Sequence, residues 1–399
     1  MSALQRLKKA AVDALPEPIA ERVLPWRRSA FRDAGVSHVT KTTQRLLIGP
    51  VNSAGQAFAW ARAAERLPGV AAVNFMYRGA EEAFGFPADH AVSTAYFVQN
   101  RRWQRAQRRA VERGFTHVLF ESGRRLFGTE DSVSDEAQRL IGRGLRAGLV
   151  FHGSDIRLPS VHADRESESP FRDGSYTDQQ RLEAIAVENL RLLESAGLPV
   201  FVSTPDLLAY APQSTWLPVV VDASVWAHAA SQDPMERSRP IVVHAPSRAR
   251  LKGTALVRDA ARRLDAEGLI EYREISGVAA GDMPDVYGQA DIVLDQFSLG
   301  SYGVAACEAL SAGRIVVSHV AEDVRDLVQQ QTGRILPIRE ATGADLERVL
   351  RELVADPPGA RALAEQGPAF VKAVHSGARS AETLAAFLGV RTGEAGDRS

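Results

Sequence analysis

Three short stretches carry side chains able to do chemistry. Lys252-Gly253 stands just before a helical pattern, with Arg248 close ahead of it. A lysine at a helix start can reach a diphosphate as a point charge. Gly303-Val304 opens a second helical run, and Glu308 follows on its first turns. A helix N-terminus presents free N–H groups and a partial positive charge, which suits a phosphate. Gly303 lets the backbone approach a ligand closely. A carboxylate at Glu308 can accept hydrogen bonds from two adjacent ribose hydroxyls. Helix end for diphosphate and carboxylate for ribose is the logic of a nucleotide site. The third stretch, His152-Gly153-Ser154-Asp155, directly follows an apolar run, where open α/β sheets place functional side chains. Each stretch also has a plain reading. Lys252 can be an exposed helix-start lysine, Glu308 a surface residue of an ordinary Rossmann-type unit, and Asp155 a helix cap. No second histidine or carboxylate stands at an i, i+4 spacing from His152, so no metal site is expected.

Strands and helices must alternate to position these groups. Ile292–Leu294 is a short apolar run fit for a buried parallel strand, Gly300 and Gly303 break it, and Val304–Ala312 has helical spacing. Arg314–Val317 is the next buried run, which completes a βαβ unit. Arg45–Gly49 reads as the first core strand and runs into a tight loop holding Asn52, Ser53 and Gly55 before a helix at 57–67. That loop lacks the spaced GxGxxG fingerprint and can also be a plain turn. Strand runs recur at 70–75, 116–120, 148–151 and 198–203, and helical runs at 101–113, 133–147 and 179–196. Leu217–Asp222 reads as the last strand of this half. A second sheet opens at Pro240–His244, followed by a helix at 255–264, a strand at 272–276 and a short helix at 278–287. Past the βαβ unit come a helix at 322–328, a strand at 333–338, and helices at 344–354, 358–374 and 380–388. This alternation predicts parallel sheets with covered faces. The polar piece 158–178 reads as a mobile loop shaping an acceptor site.

Composition narrows the class. The 399 residues suggest two domains, and a net charge of −1 supplies no global field toward nucleic acid. The one cysteine, Cys307, excludes an intramolecular disulfide framework and a cysteine-based zinc cluster, and reads as a packing residue. No apolar stretch is long enough to span a bilayer, and the first residues lack the apolar region of a signal peptide, so a cytoplasmic location is expected. Residues 1–33 can form an amphipathic helix on an anionic membrane, or a helix on the domain surface, which is favoured. The helix 101–113 carries Arg101, Arg102, Arg105, Arg108, Arg109 and Arg113, with Arg124 and Arg125 beyond it. Such a face suits anionic lipid or phosphate, placing the protein peripherally on the inner face of a membrane, or else it is simply a solvated helix face.

The run from Gly303 through Glu308-Ala-Leu to Val316-Val317 resembles the donor-site signature of GT-B glycosyltransferases, especially the retaining group called family four. The resemblance covers about residues 45–375. It implies a GT-B α/β fold: two Rossmann-like domains whose parallel sheets face each other across a cleft. Residues 1–222 would form the acceptor-side domain, 223–239 a linker, 240–375 the nucleotide-sugar donor domain, and 376–399 a helix returning to the first domain plus a polar tail. Within that family two glutamates stand eight apart. Glu308 matches the second, the ribose binder. The first, which usually contacts the transferred sugar, falls at Gly300, so the sugar contact differs here or comes from elsewhere. Lys252 matches the donor-phosphate lysine. The paired arginine position holds Ser247, and Arg248 beside it takes that part by a small shift. Gly303 and Val304 would hold the diphosphate, and residues 278–287 the base. The first loop of such transferases faces donor and acceptor, which singles out Gly55 with Asn52 and Ser53. His152, then Asp155, carry over from the histidine-bearing loop as catalytic candidates.

The function so implied is hexosyl transfer, with retention, from a nucleotide-diphosphate sugar to a carbohydrate or lipid-linked hydroxyl acceptor, in cell-surface polysaccharide or glycolipid synthesis. No metal or other cofactor is expected. The alternatives are a GT-B nucleotide-sugar epimerase, an inverting transferase, or a non-catalytic nucleotide-sugar-binding protein at the membrane.

Overall fold

Buried parallel strands need side chains that are apolar on both faces, and the first domain supplies them. Leu46, Leu47 and Ile48 are fully buried in one run. The computed structural model describes Ile19 and residues 35–79, 85–129, 131–230 and 232–391. The N-terminal amphipathic stretch, apart from Ile19, and the polar tail lie outside the described residues. The first sheet consists of β1 (Gln44–Gly49), β2 (Val70–Arg78), β3 (His90–Ser93), β4 (His117–Glu121), β5 (Arg146–Phe151), β6 (Val200–Val202) and β7 (Thr215–Trp216). Its order is β3-β2-β1-β4-β5-β6-β7, and every pairing is parallel. The second sheet consists of β8 (Ile241–His244), β9 (Glu271–Glu274), β10 (Ile292–Leu294), β11 (Ile315–Ser318) and β12 (Arg339–Glu340), in the order β12-β11-β10-β8-β9. All four of its pairings are parallel too.

These orders place the functional loops. In the first sheet, β1 has β2 on one side and β4 on the other; in the second, β8 lies between β9 and β10. Loops leaving the carboxyl ends of β1 and β4, and of β8 and β10, therefore diverge over opposite sheet faces and open a crevice where ligands bind.

Helices cover both faces of each sheet. One face of the first sheet packs Phe75, Trp103, Phe120 and Phe151 into a core. The opposite face is completed by the last helix, Ala378–Leu388, whose Ala381, Leu384, Phe387 and Leu388 share a core with Leu46, Ile48 and Trp60. The connection 223–239 holds a short helix, Ala223–Ala227, capped by Asp222 through the Ser224 N–H at 3.0 Å.

Several local expectations are corrected. Leu217–Asp222 is not a strand. Pro218 cannot donate to a ladder, and the segment crosses between domains pinned by side chains instead: Trp60 Nε1 and Ser380 Oγ donate to the Pro218 carbonyl at 2.9 and 2.8 Å. Residues 333–338 are not a strand either. Gly333 ends the helix Glu322–Thr332 in a left-handed cap, and Pro337 lacks an N–H, so pairing begins only at Arg339. The helix at 133–147 stops at Gly142, and β5 begins at Arg146. The segment 158–178 carries the helix Pro159–Arg165 and docks on the second domain. Arg165 pairs with Asp323 at 2.5 Å, and Arg250 donates to the Ser175 carbonyl at 3.0 Å.

Candidate active site

A cleft of about 480 Å³ lies between the domains. The loop after β8, the segment after β9 from Ile275 to Tyr287 and the helix that begins at Val304 form its second-domain wall, and the loop after β1 brings Ala54 to the other side.

The loop after β8 presents Lys252. Gly253 caps the helix Thr254–Ala266 with φ +71, and a Cβ there would come within 2.5 Å of Ser298 Oγ, so glycine is required both by backbone and by space. The Lys252 carbonyl accepts the Phe297 N–H at 3.0 Å, which ties this loop to the loop after β10. Beneath them, buried His244 donates Nδ1–H to the Leu294 carbonyl and accepts from the Thr254 hydroxyl, both at 2.8 Å. Burial lowers its pKa, which suits the neutral tautomer that this pattern needs. Lys252 Nζ itself donates to Asp295 Oδ1 at 2.6 Å. Arg248 is exposed; its carbonyl accepts the Lys252 N–H at 3.0 Å, and no hydrogen bond or ion pair reaches its guanidinium among the described residues, while Ser247, just before it, lines the cleft.

The loop after β10 ends at Gly303, the cap of the helix Val304–Ser311. Its φ of −145 is extended backbone, and a Cβ there would meet nothing within 4 Å. Glycine is thus not forced by conformation; the space beside this helix end is open. Val304 and Glu308 line the cleft together with Lys252. Among the described residues no hydrogen bond or ion pair reaches the Glu308 carboxyl. Burial first, and the Asp295 charge second, push its pKa up to about 8 against the opposing pull of Lys252. Cys307 is fully buried and its thiol is pushed well up by burial, which fits packing and not nucleophilic chemistry.

On the first domain's side, the loop after β1 holds three of the expected residues. Asn52 is engaged inside the protein: Nδ2 donates to the Pro87 carbonyl at 2.8 Å and Oδ1 accepts the Phe58 N–H at 3.1 Å. Its role here is to shape the loop. Ser53 donates its N–H to Glu121 Oε1 at 3.0 Å. Gly55 has φ +74, and Ala54 before it has φ +50, an uncommon conformation for a residue with a side chain. His152 follows β5. Its Nε2 lies 2.7 Å from Glu121 Oε1, and its ring stacks on Trp60 with centroids 5.5 Å apart. Burial would lower the His152 pKa, but the Glu121 hydrogen bond and charge outweigh it and raise the group. Asp155 takes the His152 backbone N–H on both oxygens, at 2.8 and 3.0 Å, so the geometry supports its capping reading.

Glu121 is a residue that sequence reasoning missed. The available signal was a carboxylate closing the apolar run His117–Phe120 beside the first sheet's switch point. Glu166 was missed as well. Gly300 has φ +62, and a Cβ there would collide with the Glu166 carboxylate from the other domain. Glu166 Oε2 accepts from His319 Nε2 at 3.0 Å, and His319 Nδ1 reaches Glu340 at 2.7 Å. Next along the loop, the Ser301 hydroxyl donates to Asp206 at 2.6 Å, and Asp206 pairs with buried Arg157 at 2.5 Å. The loop that leads to the cleft's helix end is thus gripped from the first domain.

Among the described residues no cluster of three or more metal-ligating side chains exists, and no helix is long and apolar enough to cross a membrane.

No family model matches the sequence, and no curated protein does. The structure does have solved likenesses. Sucrose-phosphate synthase from Thermosynechococcus elongatus matches with a TM-score of 0.57 at 16% identity, covering 86% of this chain and 98% of that one. The catalytic domain of starch synthase IV from Arabidopsis thaliana, bound to ADP and acarbose, matches at 0.54 and 11%, over 88% and 99%. HepE from Anabaena, in complex with UDP and glucose, matches at 0.54 and 11%, over 87% and 99%. These likenesses, spanning both sheets, identify the architecture as GT-B.

Proposed function

We propose that this GT-B chain is a glycosyltransferase that moves a sugar from a nucleotide-diphosphate sugar to a hydroxyl acceptor. One observation carries the reading: Lys252, the helix end at Gly303–Val304 and the unpartnered Glu308 meet on a single cleft of about 480 Å³. The diphosphate sits against the free N–H groups of Val304 and its neighbours, within reach of Lys252. Glu308 receives the ribose hydroxyls. As the bond from the anomeric carbon to the diphosphate breaks, charge grows on the leaving oxygens, and the fixed lysine and helix end offset it. That arrangement supplies the electrostatic task a divalent metal otherwise performs. Arg248 swings toward the diphosphate once donor is bound. His152 lines the acceptor face, and the acceptor oxygen forms the new bond to the anomeric carbon as its hydroxyl proton passes to a leaving diphosphate oxygen or to the imidazole. ADP and UDP in two of the matched structures accord with a nucleotide-diphosphate donor. Retention follows the resemblance of the motif around Glu308, and NMR of the product anomer separates it from inversion.

A second partner is supported by the helix Arg101–Gly114. Arg102, Arg105, Arg109 and Arg113 are exposed with Arg101, whereas Arg108 is engaged by Asp131 at 2.8 Å and lies over the Phe127 ring. This face suits peripheral contact with anionic lipid and hence a lipid-linked acceptor in polysaccharide or glycolipid assembly.

The first test is a thermal-shift screen against UDP, GDP, ADP, TDP and their sugar conjugates. A nucleotide that binds the native state raises the melting temperature by mass action. A shift with one diphosphate, lost in Glu308→Ala, supports the donor site. No shift with any of them counts against it.

A further inference from the structure

We infer that Glu121 is the positioning residue of His152, holding the imidazole by its Nε2–H so that the ring's lone pair is kept on Nδ1. This rests on the transferase reading above.

The geometry constrains the ring from three sides. Glu121 ends β4, is fully buried, and places Oε1 2.7 Å from His152 Nε2. A carboxylate oxygen only accepts, so the ring hydrogen is on Nε2. Trp60 lies nearly parallel beneath the imidazole, at 16° and 5.5 Å, so the ring keeps its plane. A flip about the ring axis would put a carbon against Glu121 and lose the bond. The main chain is held as well: Asp155 accepts the His152 N–H, and the Asp155 carbonyl accepts Asn189 Nδ2–H at 2.7 Å.

Two further facts point beyond packing. Glu121 Oε2 is buried and has no hydrogen-bond partner among the described residues. An apolar residue would fill that place at lower cost, so a carboxylate there has a task. Glu121 Oε1 also accepts the N–H of Ser53, whose neighbour Ala54 lines the cleft. One oxygen therefore joins the donor-side loop to the imidazole, and seating a donor against that loop sets the histidine. The charged groups facing His152 are Glu121 from β4 and Asp155 from the following turn, and both favour the protonated ring.

Removing the Glu121 charge should lower the His152 pKa while a glutamine oxygen still holds Nε2–H. The experiment is ring nitrogen NMR on histidine-labelled protein, with His152 assigned by its absence in His152→Gln. The expected wild-type result is a neutral ring protonated on Nε2 and a pKa above the ordinary 6.5. Glu121→Gln should bring that pKa down. The pH limb of sugar transfer that vanishes in His152→Gln should move to lower pH by the same amount, with KM for the donor unchanged. An Nδ1–H tautomer in the wild type, or a pKa unmoved by Glu121→Gln, overturns the inference. Should Glu121→Gln fail to fold, the wild-type tautomer decides alone. If the NMR results hold but no donor is turned over, the transferase reading falls while the Glu121–His152 pair stands.

Discussion

The Lys252 ammonium stands 2.6 Å from Asp295 Oδ1, and the other oxygen of that carboxylate is buried without a hydrogen-bond partner among the described residues. The pair keeps the lysine pointed into the cleft before any ligand arrives. Removing the cation alone leaves a carboxylate that is only 2% exposed without its partner. Lys252→Ala should therefore cost stability, on the order of 3–5 kcal/mol for a broken buried pair. The double variant Lys252→Ala/Asp295→Asn should regain most of it. Denaturant unfolding of the two proteins checks this. Equal stabilities would show the pair to be inconsequential. Diphosphate binding should fall about ten- to a hundredfold in both, the weight of one charge-assisted bond at roughly 1.5–3 kcal/mol.

Glu308 carries a pH signature. Its folded pKa is raised to about 8 by burial and by Asp295, above the ordinary 4.5. A group raised in this way binds more protons folded than unfolded. Its contribution to stability is complete below about 4.5 and is lost as pH rises through about 8. Glu308→Gln should flatten that slope. Ribose hydroxyls donate best to the ionised form, so donor binding should tighten as pH rises toward 8 and should release a proton. Calorimetry in buffers of different ionisation enthalpy reads the proton directly. An affinity flat from pH 7 to 9 would argue against the ribose role.

His319 should sense a different range. Hydrogen bonds donated to Glu166 and Glu340 raise its pKa to about 9, from the ordinary 6.5. Its contribution is complete below about 6.5 and fades as pH rises through about 9. Because Glu166 belongs to the first domain and His319 to the second, the domain contact should loosen there. Trypsin cleavage after Arg165, followed against pH, should accelerate above 9 in the wild type. Glu166→Gln should bring that acceleration to lower pH. Cleavage independent of pH would refute the link.

Gly300→Ala tests the same contact by crowding. A left-handed alanine costs roughly 1–2 kcal/mol by itself, and its Cβ must also displace the Glu166 carboxylate. The loss should exceed that of the conformational term, and Glu166→Ala should relieve the excess in the double variant. Purely additive losses would mean that the loop yields without touching Glu166.

The arginine face makes a prediction of charge sign. Arg105→Glu/Arg109→Glu alters exposed residues, so stability should hold within about 0.5 kcal/mol. Sedimentation with anionic vesicles should drop while neutral vesicles stay at background. If the wild type binds both vesicle types equally, the lipid contact is wrong.

Much of the second domain was readable because its signals are local. Ile292–Leu294 and Ile315–Ser318 are short apolar runs divided by glycine breaks; Glu308 lies on the helix between them, and Lys252 stands just before the helix that follows β8. Glu121 and Glu166 were not readable, because their partners lie 31 and 153 residues away. Neither carboxylate disturbs any local pattern. The segment 158–178 looked loop-like for the same reason. Its contacts with the second domain are largely polar, and hydrophobic periodicity is blind to them. β3, His90–Ser93, has only Ala91 and Val92 as apolar residues, too few to mark a strand.

The crossing of the last helix onto the first sheet has a consequence for synthesis. Trp60, Leu46 and Ile48 are made early, yet the layer that covers them includes Leu384, Phe387 and Leu388. On a ribosome the second domain has its whole sheet before the first domain has its last apolar layer. The first domain is thus a sandwich closed by the polypeptide's late arrival, and one face of its completed sheet waits, covered only in part by the helix that carries Trp60, through the translation of about 160 codons between Trp216 and Ala378.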